Sequence, residues 1–317
     1  MKQNRFYDVV GQDRAKKKLN FYLNGYNAST IIPHIMFVAP KGCGKTTLAK
    51  ALGRELRSRE NVSKPKAFLE LNCSTIKSVK QFFNQIVIPH INDKECTVLF
   101  DEASELPKDV TMALLTALNP NPDNRNDFSY EDYTVTFDFR RQSFMFATTE
   151  AQQIFHALMD RCERIDLEEY TYGELAEIII RTLKGIKFQK GVLDEVAGVL
   201  RGNARQAQKM ANNIKLYLDS KSKKEFNKED WEYLKDNLAI LPLGLSPIEM
   251  QILGILKAHK ECSLTHISAK TGLSKGCVQR DFELYLQKHD LMEISTAGRS
   301  ITCKGQKILD QCNECKV

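Results

Sequence analysis

A chain of 317 residues exceeds one ordinary core and predicts two or three domains. Hydrophobic residues at 42% and charged residues at 27% are ordinary for a globular protein, no apolar run approaches the ~20 residues of a membrane span, and the opening MKQNRFYDVVGQDRAKKK lacks a signal peptide's apolar core. A cytoplasmic location with no membrane partner is expected, and the net charge of +6 permits a local nucleic-acid patch without demanding one.

Up to about Tyr170, helical stretches alternate with short apolar runs: HIMFVA (34–39), AFLELNC (67–73), CTVLFDE (96–102) and QSFMFATT (142–149). Continuous apolar strands separated by helix-length segments predict an α/β domain with a parallel sheet covered on both faces. Between 119 and 141 the texture changes, and the alternation in FSYEDYTVTFDF predicts an inserted β-hairpin, either a plain edge ribbon or, across 127–140, a docking surface for a protein recruiter. From Thr171 apolar residues recur at three- and four-residue intervals, a small helical domain, and SKSKKEFNKED (220–230) reads as a solvated connection. Past LPLGLSP (241–247), three helices, the third capped by Ser274, and two short strands around an Ala-Gly turn outline a winged helix. The expected boundaries are 1–170, 171–240 and 241–317.

Nine cysteines, an odd number scattered through apolar segments, do not form a disulfide framework. Cys312 and Cys315 make a C-x-x-C, but no second pair stands at zinc-ligand spacing, and the tail is read as a frayed terminus. The six histidines share no spacing that suggests a metal site or a catalytic triad.

The chemistry gathers at MFVAPKGCGKTTLAKAL (36–52), which matches the phosphate loop G-x-x-x-x-G-K-[ST] except that Ala39 stands for the first glycine. Such a loop aims consecutive backbone N–H groups at phosphates from a helix N-terminus. Gly42, Cys43, Gly44, Lys45, Thr46 and Thr47 supply it here, with Lys45 placed for the β- and γ-phosphates of ATP and Thr46 for Mg²⁺. Ala39 costs little unless its position requires positive φ. Downstream, VLFDE ends an apolar strand on two acids, Asp101 for the metal's outer shell and Glu102 for the attacking water.

FYDVVGQDRAKKKLNFYL resembles the nucleotide-base segment of AAA+ ATPases, FMFATTE their sensor-1 strand, LMDRCERIDL their arginine-finger region and RGNARQAQKMANN their sensor-2 helix. The likeness is strongest to the RuvB-like family of Holliday-junction branch-migration motors, and includes LGLSPIEMQILGIL and ELYLQKHDLMEISTAGRSIT of its winged helix. The resemblance implies that Val10, Gly11 and Gln12 lie near the adenine, Thr149 is the sensor-1 residue, Arg205 the sensor-2 arginine and Arg161 the finger offered to a neighbouring subunit, with Arg164 as its substitute. It also implies a homo-oligomer, expected as a hexameric ring. Met159 and Ala297 replace family arginines, and the family's partner-docking hairpin is not recognisable in 127–140.

A winged helix can place its third helix in a groove and its wing on the backbone. Lys275, Gln279 and Arg280 are the outward candidates on that helix, and Arg299 and Lys304 those of the wing, for contact with duplex or branched DNA. The expected function is an ATP-driven, ring-forming motor on duplex DNA in recombination or junction processing. The alternatives are a clamp-loader or initiator type of loader ATPase, and an ATP-dependent DNA-coating scaffold acting with a transposase.

Overall fold

A computed structural model describes residues 5–314, so Cys315 of the C-x-x-C lies outside the described residues. The chain divides into two units, residues 1–182 with 202–209, and residues 183–201 with 210–317.

In the first unit α1 (Asp13–Ser29) precedes β1 (Ile35–Val38), α2 (Lys45–Glu55) and β2 (Ala67–Asn72). Next come α3 (Val79–Phe82), which runs on as a π-helical segment Phe83–Ile91, then β3 (Cys96–Asp101) and α4 (Lys108–Ala117). A hairpin of β4 (Arg125–Tyr130) and β5 (Tyr133–Asp138) leads to β6 (Gln142–Thr148), α5 (His156–Met159), β7 (Glu163–Asp166) and α6 (Tyr172–Thr182). The sheet is parallel in the order β2-β3-β6-β1-β7. Its strands are nearly unbroken apolar runs because both faces are covered. Val98, Phe100, Phe144 and Phe146 point into one core with Val110 and Leu114 of α4, while Leu99, Met145 and Ala147 point into another with Leu48 and Leu52 of α2.

The four expected strands are present, each trimmed by a residue or two, and β7 was not expected as one. The hairpin forms with Arg125 opposite Asp138 and Tyr130 opposite Tyr133. Its apolar face is used inward: Val135 and Phe137 are buried, and Phe128 and Tyr130 stack on Phe83 of the π-helical segment at 5.0 and 4.4 Å. Asp127, Ser129 and Thr134 lie on the outward face and are exposed.

His34, just before β1, is enclosed by the rings of Phe139 and Phe144 at 4.8 and 5.8 Å, and its Nδ1 is buried without a partner among the described residues. Burial lowers this imidazole from the ordinary 6.5 to about 4. A base whose folded pKa is depressed contributes its stability in full above the unfolded value, and loses it as pH falls from 6.5 towards 4. His34→Phe is therefore expected to flatten the acid limb of urea stability between those pH values by up to about 3 kcal/mol. An unchanged acid limb would refute that account.

In the second unit α7 (Val192–Ala197) packs with α9 (Lys228–Asn237), and a short parallel pair joins β8 (Lys187–Phe188) to β9 (Glu225–Phe226). The long helix α8 (Ala204–Ser220) starts in the first unit and ends in this one. The stretch expected to be a solvated connection contains β9 and the start of α9, fixed by an Asn227/Asp230 capping box and by the buried Trp231.

The winged helix follows. It comprises α10 (Pro247–His259), α11 (Leu264–Thr271), a third helix running from α12 (Lys275–Cys277) through a π-helical turn into α13 (Leu284–Lys288), and the wing strands β10 (Met292–Ile294) and β11 (Arg299–Ile301). Ser274 caps the third helix by accepting from Cys277 N–H. The tail read as frayed is instead α14 (Cys303–Glu314), whose Ile308 and Leu309 join the same core as Ile252, Leu256 and Leu286.

Arg201 and Glu249, both of this unit, form a bidentate pair at 2.9 and 3.1 Å, with the carboxylate fully buried and the guanidinium 3.4 Å from the Tyr285 ring centre. Glu249 also closes the cap of α10 through Ser246 N–H.

Candidate nucleotide-binding site

The phosphate loop leaves β1 and enters α2. Lys45 is largely buried and its Nζ donates to the carbonyls of Ala39 (2.7 Å) and Pro40 (3.1 Å), so the loop curls around its own lysine. Ala39 is buried and absent from the residues with positive φ, which is why its Cβ is accommodated. Gly42 and Gly44 do have positive φ, 84° and 89°. A Cβ on Gly42 would also lie 2.0 Å from Oδ1 of Asn203, so glycine is required there twice over.

Asn203 ties the loop to α8. Its Oδ1 accepts from the N–H groups of Arg205 and Gln206 as a helix cap, its Nδ2 donates to the carbonyl of Lys41 at 3.1 Å, and Ala204 N–H reaches the carbonyl of Gly42. Asn203 was missed in the sequence, although an asparagine just before a helix was a readable cap signal.

A cleft of about 280 Å³ brings together Gly42, Gly44, Lys45, Thr46, Thr47, Asp101, Glu102, Thr149 and Arg205. The hydroxyl of Thr46 donates to Oδ2 of Asp101 at 2.9 Å, so two hard oxygens meet at one edge. Glu102 adopts left-handed backbone geometry with φ 56°, its N–H on Oδ1 of Asp101, and stays exposed at the cleft. A non-glycine residue held in that region stores local strain of the kind concentrated at reacting sites. Burial holds the Lys45 ammonium below its ordinary range; Arg205 pushes it the same way, and the acids oppose both. Lys45 and Arg205 beside the N-terminus of α2 make this a cradle for a multiply charged anion. Of the adjacent threonines, Thr148 is buried with its hydroxyl on Ser104 and on Glu150 N–H, leaving Thr149 the half-exposed one.

Val10, Gly11, Gln12 and Cys43 do not line the cleft. Gln12 instead exchanges both amide hydrogen bonds with the backbone of Glu168 (2.8 and 3.1 Å) and reaches Cys43 O at 3.5 Å, stapling the loop from behind. Arg161 also lies outside it. Its guanidinium donates to Ala157 O at 2.8 Å and to Oδ1 of Asn119 at 3.1 Å, and lines a separate cleft with Met112, Asn121 and Asp127. Arg164 is engaged by Asp166 at 2.7 Å.

On the winged helix, Lys275, Gln279, Arg280 and Lys304 are exposed. Arg299 requires a correction. It starts β11 largely buried, with Nε on Oε1 of the buried Glu283 at 2.9 Å and Nη2 on Oε2 at 3.3 Å, so its charge is spent inside the domain. The sequence placed it at the wing turn because its carboxylate partner, 16 residues away on the third helix, gave no local signal.

Residues 35–170 match the ATPase family associated with various cellular activities (AAA), and residues 242–310 match the RuvB C-terminal winged helix domain. The chain carries an AAA ATPase domain and a RuvB-type winged helix domain. It is 26% identical to the Holliday junction branch migration complex subunit RuvB of Campylobacter hominis, over 98% of this chain and 90% of that protein. The corresponding subunit of Sulfurimonas denitrificans is 24% identical over 98% and 91%. In fold, the RuvB-like chain superposes on the Thermotoga maritima RuvB Holliday junction branch migration motor with a TM-score of 0.76, at 21% identity and 97% coverage of each chain. Nucleotide binding goes with membership of this ATPase family. No helix among the described residues is long and apolar enough to cross a membrane.

Proposed function

We propose that this chain is a ring-forming motor, cytoplasmic, that spends ATP on moving duplex DNA through branched junctions. The observation that carries the reading is the separation of Arg161 from the cleft that holds every other hydrolytic group of its own chain. An arginine that completes hydrolysis from outside its own site must serve a neighbour's, which calls for a closed assembly, here a hexameric ring.

Within one site the loop N–H groups and Lys45 hold the β- and γ-phosphates, and Val10, Gly11 and Gln12 support the adenine side. Thr46 and Asp101 would hold Mg²⁺, which supplies charge neutralisation on the phosphates when bound. Glu102 orients the attacking water and takes its proton. Thr149 and Arg205 contact the γ-phosphate, and Arg205, at the start of α8, links its state to the helical segment. Lys275, Gln279, Arg280 and Lys304 touch the DNA, mostly its phosphates. The outward face of the hairpin, with Asp127 and Thr134, remains available to a protein recruiter.

The relatives' names favour the motor over a loader or a coating scaffold. The deciding experiment is steady-state ATP turnover of the purified chain alone, with linear duplex and with a four-way junction, alongside displacement of a junction arm. Junction-stimulated turnover with directional arm displacement, both lost in Glu102→Gln, is the expected result. A chain that stays monomeric at every ATP concentration, or hydrolyses ATP without displacing DNA, would overturn it.

A further inference from the structure

Arginine has five N–H donors and no acceptor, so the oxygen 3.1 Å from Nη2 of Arg161 has to be the amide carbonyl of Asn119. With Ala157 O on Nη1, two separate points fix the plane of the guanidinium, and Nε is buried with no partner among the described residues. Asn119 is itself held. Nδ2 of Asn126, at the base of the hairpin, donates to Asn119 O at 2.7 Å and to Ala117 O at 2.9 Å, and Asn121 donates to Oδ1 of Asn126 at 3.1 Å. A net of three asparagines between α4 and β4 thus ends on one arginine.

A free arginine side chain has many rotamers to lose, and a catalytic group displaced by about 1 Å can lose about 10²-fold in rate. We propose that Asn119 is a positioning residue, which presets the direction in which Arg161 is presented to the neighbouring subunit's γ-phosphate. The inference rests on the reading of Arg161 as a trans-acting finger. It adds that the finger's aim is set by the junction of α4 with the hairpin.

The test uses the full chain, as Asn119→Ala, Arg161→Ala, the double variant and Glu102→Gln. Asn119→Ala is expected to lower kcat for ATP by about 10- to 100-fold with KM changed less than about twofold. In single-turnover measurements it should add nothing in the Arg161→Ala background, as for two residues acting through one contact. Mixing Asn119→Ala with an excess of Glu102→Gln subunits, which cannot hydrolyse but carry an intact finger, should restore turnover per Asn119→Ala subunit. A general loss of folding would not be rescued in this way. An Asn119→Ala kcat within twofold of the parent, an additive loss in the double variant, or no rescue on mixing would overturn the proposal. If Arg161→Ala itself keeps full turnover, it is the finger assignment that fails.

Discussion

Arg161→Ala is expected to lower kcat for ATP by about 10³- to 10⁵-fold while leaving ATP affinity close to the parent's. The split between the two constants follows from position. Arg161 lines a cleft with Met112 and Asn121, not the cleft of Lys45 and Thr46, so it contributes nothing to holding ATP in its own subunit. Arg205→Ala is the contrasting variant. Arg205 lines the phosphate cleft and lies close enough to Lys45 for their charges to interact, so its loss should weaken ATP binding as well as slow turnover. Equilibrium binding of a fluorescent ATP analogue beside steady-state turnover reads both constants. An Arg161→Ala chain that binds ATP poorly, or turns it over at the parent's rate, would remove the argument for an obligate assembly. Arg164 could not take over without giving up Asp166, and its exposed pair makes that substitution measurable through Arg164→Ala in the Arg161→Ala background.

The parts of the site that could be read from the sequence are those whose chemistry is fixed by spacing along one segment. Gly42, Gly44, Lys45 and Thr46 are neighbours in the chain, and Asp101 ends, with Glu102 directly after it, a strand whose other five residues are all buried. The four central strands were equally readable because burial on both faces leaves no polar residues to blur them. By contrast β7, ERID, buries only Ile165, and a single apolar residue in four carries no period. The helices α9 and α14 were passed over for a related reason: each shows mostly lysine, aspartate, glutamate, asparagine or glutamine, and Trp231 and Leu309 declare a buried face only once a partner is in place. Contacts that join distant segments left no trace at all. Asn203 meets Lys41 from 162 positions away, and Gln12 meets Glu168 from 156. In both cases a polar side chain that looked like a ligand contact or a loop residue is tied to backbone that shapes the phosphate loop.

Arg299→Ala should behave as a stability variant of the winged helix before it behaves as a DNA-binding one. Removing the guanidinium leaves the Glu283 carboxylate, 3% exposed, without its ion partner, and breaking a buried pair from one side costs about 3 to 5 kcal/mol. A wing arginine lying on a phosphate would instead weaken duplex binding and lower the salt slope by roughly one, with little change in stability. The two effects separate in the double variant Arg299→Met, Glu283→Leu, because replacing both partners by apolar groups of similar volume is often close to neutral. That double variant is expected to unfold near the parent's urea midpoint and to keep the parent's affinity for duplex DNA. Lys275→Ala with Arg280→Ala, two exposed cations of the third helix, should lose affinity and reduce the salt slope by about two at unchanged stability. A stable double variant that loses DNA binding would mean that Arg299 leaves Glu283 when DNA arrives. The energy of the buried pair would then be part of the cost of each DNA contact, and the wing would be a moving part of the motor and not a fixed strut.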